Sequence, residues 1–242
     1  MQKHLQNLGK HFFDYSDAFL CLFYPRLCLA CGIKTPPRGQ EICFSCSVQL
    51  PKTGYHLQKE NPFTERFWGR VHVQAGAAMY LFKKGSRTQN LIHNIKYKGR
   101  HQIAVTLGNM YGRNLKVSPF FKDIDAIVPV PLHWKKERAR GYNQSAKFGQ
   151  GLAEILKVPI FAKGLKRVVH SPSQTQMSRQ QRIENVMKAF ELNQPKSLEG
   201  QHILLVDDVL TTGATLEACA TKILALSNTK VSMATIVIAS NL

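Results

Sequence analysis

Unbroken aliphatic runs and helically spaced apolar residues take turns along this chain. The runs Asp125–Leu132 (DAIVPVPL), Ile203–Val206 (ILLV) and Val231–Ala239 (VSMATIVIA) predict strands buried on both faces, since a strand with one wet face would alternate. Further strands are predicted over residues 71–82 and over Pro159–Val169. Between them lie Leu91, Ile92 and Ile95 behind a cap at Ser86, then Ile103, Leu107, Tyr111 and Leu115, then Ser145–Lys157 and Leu216–Leu226, all at helical spacing. Strands alternating with helices predict an α/β domain over residues 70–242. Pro129 and Pro131 cannot donate to a ladder, so their strand should end at Val128 and a rigid loop begin. Leu5, Leu8, Phe12, Phe19 and Leu22 predict an amphipathic helical segment within residues 1–24. Pro51–Phe67 is polar, broken by Gly54, Asn61 and Pro62, and reads as a linker.

The rest is organised around His202–Leu216 (HILLVDDVLTTGATL). Two carboxylates, Asp207 and Asp208, follow the aliphatic run where the strand should end. Thr211, Thr212, Gly213, Ala214 and Thr215 then form a small, hydroxyl-rich turn at a helix N-terminus, where backbone N–H groups and the helix dipole favour phosphate. Carboxylates beside a phosphate cradle suit sugar hydroxyls, so the pattern points to a phosphosugar. A plain polar connection between strand and helix is the bland alternative, and it has no need of two adjacent acids. The GxxxxGK[ST] spacing of a Walker A loop is absent. The stretch resembles the phosphoribosyl pyrophosphate (PRPP) loop of type I phosphoribosyltransferases. By that resemblance Asp207 and Asp208 face the ribose 2′ and 3′ hydroxyls, and residues Thr211–Thr215 hold the 5′-phosphate.

Charge adds a second theme. Lys and Arg number 33 against 15 Asp and Glu, a net charge of +18, and no acidic residue occurs from Arg66 to Lys122. A polyanionic partner follows, nucleic acid ahead of anionic lipid, with a generally solvated basic face as the alternative. Within that stretch Lys96, Tyr97, Lys98 and Arg100 (IKYKGR) interleave cations with an aromatic ring, as single-stranded nucleic acid requires; Tyr97 as a packing residue at a helix end is equally open. His133–Asn143 (HWKKERARGYN) is a cationic loop between strand and helix, where the resemblance to type I phosphoribosyltransferases implies a pyrophosphate site, with Lys135, Lys136, Arg138 and Arg140 as candidates. His170–Arg182 (HSPSQTQMSRQQR) is polar and flexible in composition, and the same resemblance implies a mobile loop whose Arg179 and Arg182 meet pyrophosphate on closure.

Cys28, Cys31, Cys43 and Cys46 form two CxxC pairs eleven residues apart, the spacing of a four-thiolate structural zinc site over residues 25–52, with redox chemistry as the alternative. Cys21 and Cys219 stand apart, their role unassigned. The absence of a scattered disulfide framework, of a persuasive signal peptide and of an apolar run long enough to span a bilayer predicts a cytoplasmic protein, with peripheral membrane association as a further option.

The ribbon, IKYKG, VPVPLHWKKERARGYNQ, QTQMSRQQRIENV and ILLVDDVLTTGAT, in this order, resemble the ComF family (ComFC/GntX-like proteins). The resemblance implies a type I phosphoribosyltransferase fold, a Rossmann-like parallel sheet flanked by helices, behind an N-terminal zinc ribbon. It implies structural Zn2+, Mg2+ accompanying PRPP, single-stranded DNA and competence machinery as partners, and a role in DNA uptake during natural transformation. An active phosphoribosyltransferase with a nitrogenous acceptor, and a PRPP sensor without chemistry, are the competing expectations.

Overall fold

The computed structural model describes residues 26–37, 39–97, 99–168, 188–193 and 195–240. The helical reading of residues 1–24, Cys21, Lys98, and the loop carrying Arg179 and Arg182 lie outside them. The chain divides into two compact units, Met1–Gln49 and Leu50–Leu242.

In the larger unit, four parallel strands form one sheet: β1 (Gly76–Phe82), β2 (Ala126–Pro129), β5 (His202–Leu210) and β6 (Lys230–Ala239), in the order β1-β6-β5-β2. A short antiparallel ribbon, β3 (Leu165–Arg167) with β4 (Phe190–Leu192), is separate. A single parallel bridge, Ile127 to Ile160, extends the main sheet beyond β2. The strand expected over Pro159–Val169 is therefore divided between that bridge and β3, with Gly164 between them making a turn back onto Phe161. The strand expected to stop at Val128 runs one residue further. Pro129 is its last residue, where a missing N–H costs nothing because Val130 supplies the next donor, to Val206.

Side-chain alternation sorts the helices onto two faces. Ile203, Leu205, Val231 and Met233 share one buried cluster with Leu216, Cys219 and Ile223 of a helix over Ala214–Leu224. Ile127 and Val206 point the other way, against Gly149 in the helix Gln144–Leu156. We number the helices α1 (Phe44–Gln49), α2 (Arg87–Tyr97), α3 (Gln102–Val117), α4 (Trp134–Arg140), α5 (Gln144–Leu156) and α6 (Ala214–Leu224). Sheet strands covered on both faces explain why the sequence reads there as continuous apolar runs.

α3 and α5 touch backbone to backbone. A Cβ on Gly151 would lie 2.1 Å from the Val105 carbonyl oxygen, and one on Gly108 would lie 2.2 Å from that of Phe148. Neither carbonyl can move without breaking its helix. Gly151→Val should therefore cost about 3 kcal/mol or more, visible as a melting-point drop of several degrees. A variant melting like the wild type would refute this close approach.

Pro51–Phe67 is not a linker. Lys52 bridges Tyr80 of β1, the Leu81 amide donates to the Pro51 carbonyl at 2.8 Å, and Phe63 and Phe67 are buried in the main cluster. Asn61 replaces missing backbone partners. Its Nδ2 donates to the Gly76 carbonyl (3.0 Å), and its Oδ1 accepts from the Phe63 amide (2.9 Å). Polar composition thus disguised a packed segment.

The smaller unit is built around its cysteines. Two hydrogen bonds, from the Cys28 amide to the Lys34 carbonyl (2.8 Å) and from the Leu29 amide to the Glu41 carbonyl (3.0 Å), fold the first knuckle, and α1 carries Cys46. Gly32 follows the first pair with φ of 69°, the left-handed turn a knuckle needs.

Candidate functional site

β5 carries the acid pair further into the sheet than expected. It continues through Asp207 and Asp208 to Leu210 because β6 stays alongside, Asp207 pairing with Thr235 and Leu210 with Ile238. The turn Thr211–Gly213 then leads into α6. Gly213 adopts φ of 84° at its N-cap, and a Cβ there would stand 3.0 Å from the Phe67 ring. Both conformation and space exclude larger residues. Thr211 and Thr212 are exposed, and Ala214 and Thr215 are half-buried, so the helix N-terminus opens outward beside the acids.

Two distant segments complete the pair. The side chain of Asn143 accepts from the Ser145 and Ala146 amides (3.0 and 3.3 Å) and donates to the Val130 carbonyl (3.0 Å), fixing the start of α5 to the end of β2. Ser145 so held donates its hydroxyl to Asp207 Oδ1 at 2.7 Å, and the Asp208 amide donates to the same oxygen at 2.8 Å. Lys96, near the end of α2, forms an ion pair with Asp208 Oδ2 at 3.0 Å. Burial, with the neighbouring Asp208 charge, pushes the Asp207 carboxyl up to about 7 against the opposing hydrogen bonds.

This shift has a stability consequence. An unfolded aspartate titrates near pH 3.9, so between about pH 4 and 7 the folded state holds a proton that the unfolded state has released. Asp207 therefore stabilises the fold relatively more at the acid end, and the contribution falls as pH rises to about 7. Asp207→Asn abolishes that dependence. Its melting point relative to the wild type should rise by several degrees between pH 5 and pH 8, and a constant gap would contradict the raised carboxyl.

The structure brings together part of what the sequence suggested. Lys96, read as a nucleic-acid candidate, faces the acid pair. Tyr97 is exposed, with the Arg140 guanidinium 5.3 Å above its ring centroid, and Arg100 is exposed nearby in sequence. The segment read as a cationic loop is largely the helix α4. His133 Nδ1 accepts from the Lys135 amide (3.2 Å), and Gly141, at φ of 78°, ends it. Residues 134–140 contain no Pro or Gly, so a cap at each end suffices. Lys135, Lys136 and Arg138 are exposed along it, and Lys135 lies 5.5 Å over the exposed Trp134 ring.

Arg66 and Arg70 were missed. Arg66 donates to the carbonyls of Thr211 and Ala239, and Arg70 donates to the Thr212 carbonyl (3.1 Å) and pairs with Glu217. They brace the turn from behind and leave its amides outward. Their only sequence signal was the start of the acid-free stretch. Cys219 is a core residue of α6, its thiol pushed well up by burial.

In the smaller unit, one sulfur from each of Cys28, Cys31, Cys43 and Cys46 lies within 4.8 Å of the others. Sulfurs about 2.3 Å from a tetrahedral ion would be about 3.8 Å apart, so the four fit a metal with slight contraction. The Cys43 amide already donates to Cys28 Sγ at 3.2 Å, and backbone hydrogen bonds from Lys34 and Ile33 lower the Cys31 thiol to about 6. Among the described residues, no helix is long and apolar enough to cross a membrane.

Residues 143–241 match the phosphoribosyl transferase domain. The chain is 35% identical to Competence protein F of Haemophilus influenzae over 203 residues, 80% of this chain and 89% of that protein. It is 30% identical to the DNA utilization protein YhgH of Escherichia coli K12, covering 81% and 83% respectively, and 30% identical to Competence protein ComFC of Bacillus subtilis, covering 75% and 77%. Among solved structures it is similar to the glutamine PRPP amidotransferase of B. subtilis, at a TM-score of 0.41 and 21% identity over 56% of this chain and 26% of that one. With its parallel α/β sheet of the phosphoribosyltransferase type and a four-cysteine cluster ahead of it, this chain belongs to the competence protein F family.

Proposed function

We propose that the C-terminal edge of the sheet binds a 5-phosphorylated ribose, PRPP foremost, and that the protein uses this site in handling incoming single-stranded DNA. One observation carries the first half: an acid pair on a parallel strand, Asp207 half-buried and Asp208 buried, runs straight into an outward-facing helix N-terminus. Diol acceptors and phosphate donors thus follow one another along the backbone. Asp207 and Asp208 take the ribose hydroxyls, and the amides and hydroxyls of Thr211–Thr215 take the 5′-phosphate. Lys135, Lys136, Arg138 and Arg140, with Arg179 and Arg182, are the proposed partners of pyrophosphate. Mg2+ bound with that pyrophosphate would offset part of its negative charge, the cationic side chains the rest.

The names of the relatives, Competence protein F, ComFC and DNA utilization protein, support the DNA half of the reading. So do the net charge of +18 and the pairing of Tyr97 with Arg140 on an exposed surface. Zinc is the metal proposed for the four thiols, since all four positions would be filled by protein and the site left structural. The cytoplasm is the proposed location, in contact with competence proteins.

A second reading, phosphoribosyl transfer, is favoured by the Asp207 carboxyl near 7, a value suited to proton transfer at neutral pH. There an acceptor nitrogen would displace pyrophosphate from ribose C1. Calorimetric titration of the full chain with PRPP and Mg2+, followed by a pyrophosphate assay across purine and pyrimidine bases, separates the two. Binding without pyrophosphate release supports the DNA-handling reading, and release with one base supports transfer. No binding sinks both.

A further inference from the structure

The Lys96–Asp208 ion pair lies within the proposed ribose site, yet binding a ribose does not require a lysine already seated on its carboxylate. The two side chains keep 22% and 13% of their exposure, so the pair is sheltered but reachable. Lys96 belongs to the last turn of α2, and that turn is tied to the α4–α5 region by its other members. Tyr142 donates its hydroxyl to the Ile95 carbonyl. Arg140, stacked over Tyr97, also donates to Gln144 Oε1 at 3.0 Å, and the His93 ring lies 5.0 Å from that of Tyr97. One helical turn therefore carries an inward ion pair to Asp208 and an outward aromatic–cation pair, with Tyr97 65% exposed.

We propose that Lys96 is an exchangeable cation. It occupies Asp208 in the free protein, and a phosphosugar whose diol takes Asp208 releases the ammonium to a nucleic-acid phosphate on the Tyr97–Arg140 face. The inference rests on the phosphosugar reading of the site and adds its regulation. The exchange takes a cation from Asp208, since the sugar hydroxyls that replace the ammonium are neutral, but their hydrogen bonds to the carboxylate are charge-assisted and offset that loss. The four-carbon stem of lysine turns by rotamer change alone, while Tyr142 and Arg140 keep the backbone of the turn in place. The freed ammonium then makes a charge-assisted hydrogen bond to phosphate. Because linkage is reciprocal, each ligand must tighten the other by the same factor.

The test measures binding of a fluorescent oligodeoxythymidylate to the zinc-loaded full chain, with and without saturating ribose 5-phosphate, which offers phosphate and diol but no leaving group. Calorimetry of ribose 5-phosphate alone comes first. If it does not bind, the phosphosugar reading and the inference fall together. If it binds, the wild type should hold the oligonucleotide about fivefold or more tightly in its presence. The salt slope of that binding should steepen by about 0.7, the signature of one added phosphate contact on a single strand. Lys96→Met should bind both ligands with a coupling factor of one and an unchanged slope. Asp208→Asn, breaking the pair from the other side, should show the tight oligonucleotide affinity without any sugar. Independent binding in the wild type, coupling that survives in Lys96→Met, or no oligonucleotide binding with the sugar present would each overturn the exchange.

Discussion

Stripping the metal from the zinc-loaded full chain is expected to unfold residues 26–49 and to leave Leu50–Leu242 folded. Among its described residues the small unit has little else to hold it. Its buried apolar side chains among the described residues are Leu29, Ala30 and Ile42 beside the cysteines, whereas Ile33 and Phe44 are each 78% exposed and Val48 64%. A chain segment this short does not bury enough apolar surface to offset its conformational entropy. A structural zinc supplies about 10 kcal/mol or more, and that binding energy is the folding energy. A chromophoric chelator should therefore release one zinc per chain, and the amides of Cys28, Leu29 and Ser47, hydrogen-bonded in this unit, should lose exchange protection. Amides of β5 and β6 should keep theirs. Cys43→Ser should reproduce the pattern without chelator. Protection that survived metal removal, or a chain that never held metal, would end the structural-zinc reading.

What could be read from the sequence was what is local in it. The run Ile203–Val206, the two acids and the turn to Ala214 are consecutive, so strand, carboxylates and helix N-terminus were legible without any knowledge of the fold. The CxxC spacing was legible for the same reason. The partners of the acids were not. Ser145 is 62 residues from Asp207, and Arg66 is 145 residues from the Thr211 carbonyl it braces. Only chain topology brings such pairs together, and no periodicity announces them. Two misreadings have another cause. In α4, charge suggested a loop although Lys, Glu, Arg and Ala are good helix formers between a cap and a glycine. In Pro51–Phe67, polar residues outweighed the apolar pair Phe63 and Phe67, whose burial depends on the hydrogen bonds of Asn61. Lys96 and Tyr97 were singled out together as nucleic-acid candidates, but adjacent residues on a helix point in different directions, and Lys96 turns inward to Asp208.

The double variant Asp207→Ala/Asp208→Ala is expected to lose PRPP binding by at least about a hundredfold. Each carboxylate accepting a sugar hydroxyl makes a charge-assisted hydrogen bond of about 1.5–3 kcal/mol, so removing two costs about 3–6 kcal/mol, or a factor of about 10² to 10⁴. The fold should survive, because the loss of a carboxyl whose ionisation is opposed by burial offsets the orphaning of the Ser145 hydroxyl, and the Lys96 ammonium, released from Asp208, turns out to water. A melting point at pH 8 near that of the wild type would establish that the lost affinity is local. Separate variants then divide the roles. Asp207→Asn still accepts from Ser145, keeps the local geometry and loses only charge, so it should bind between the wild type and the double variant. Thr211→Val leaves every backbone amide of the phosphate cradle in place and should cost no more than about tenfold, since one neutral donor is worth about 1 kcal/mol. Isothermal titration of the four proteins under one buffer tests the series. If the double variant binds PRPP as the wild type does, the acids belong to the fold and not to a ribose site, because no ligand held by its diol could ignore the loss of both acceptors.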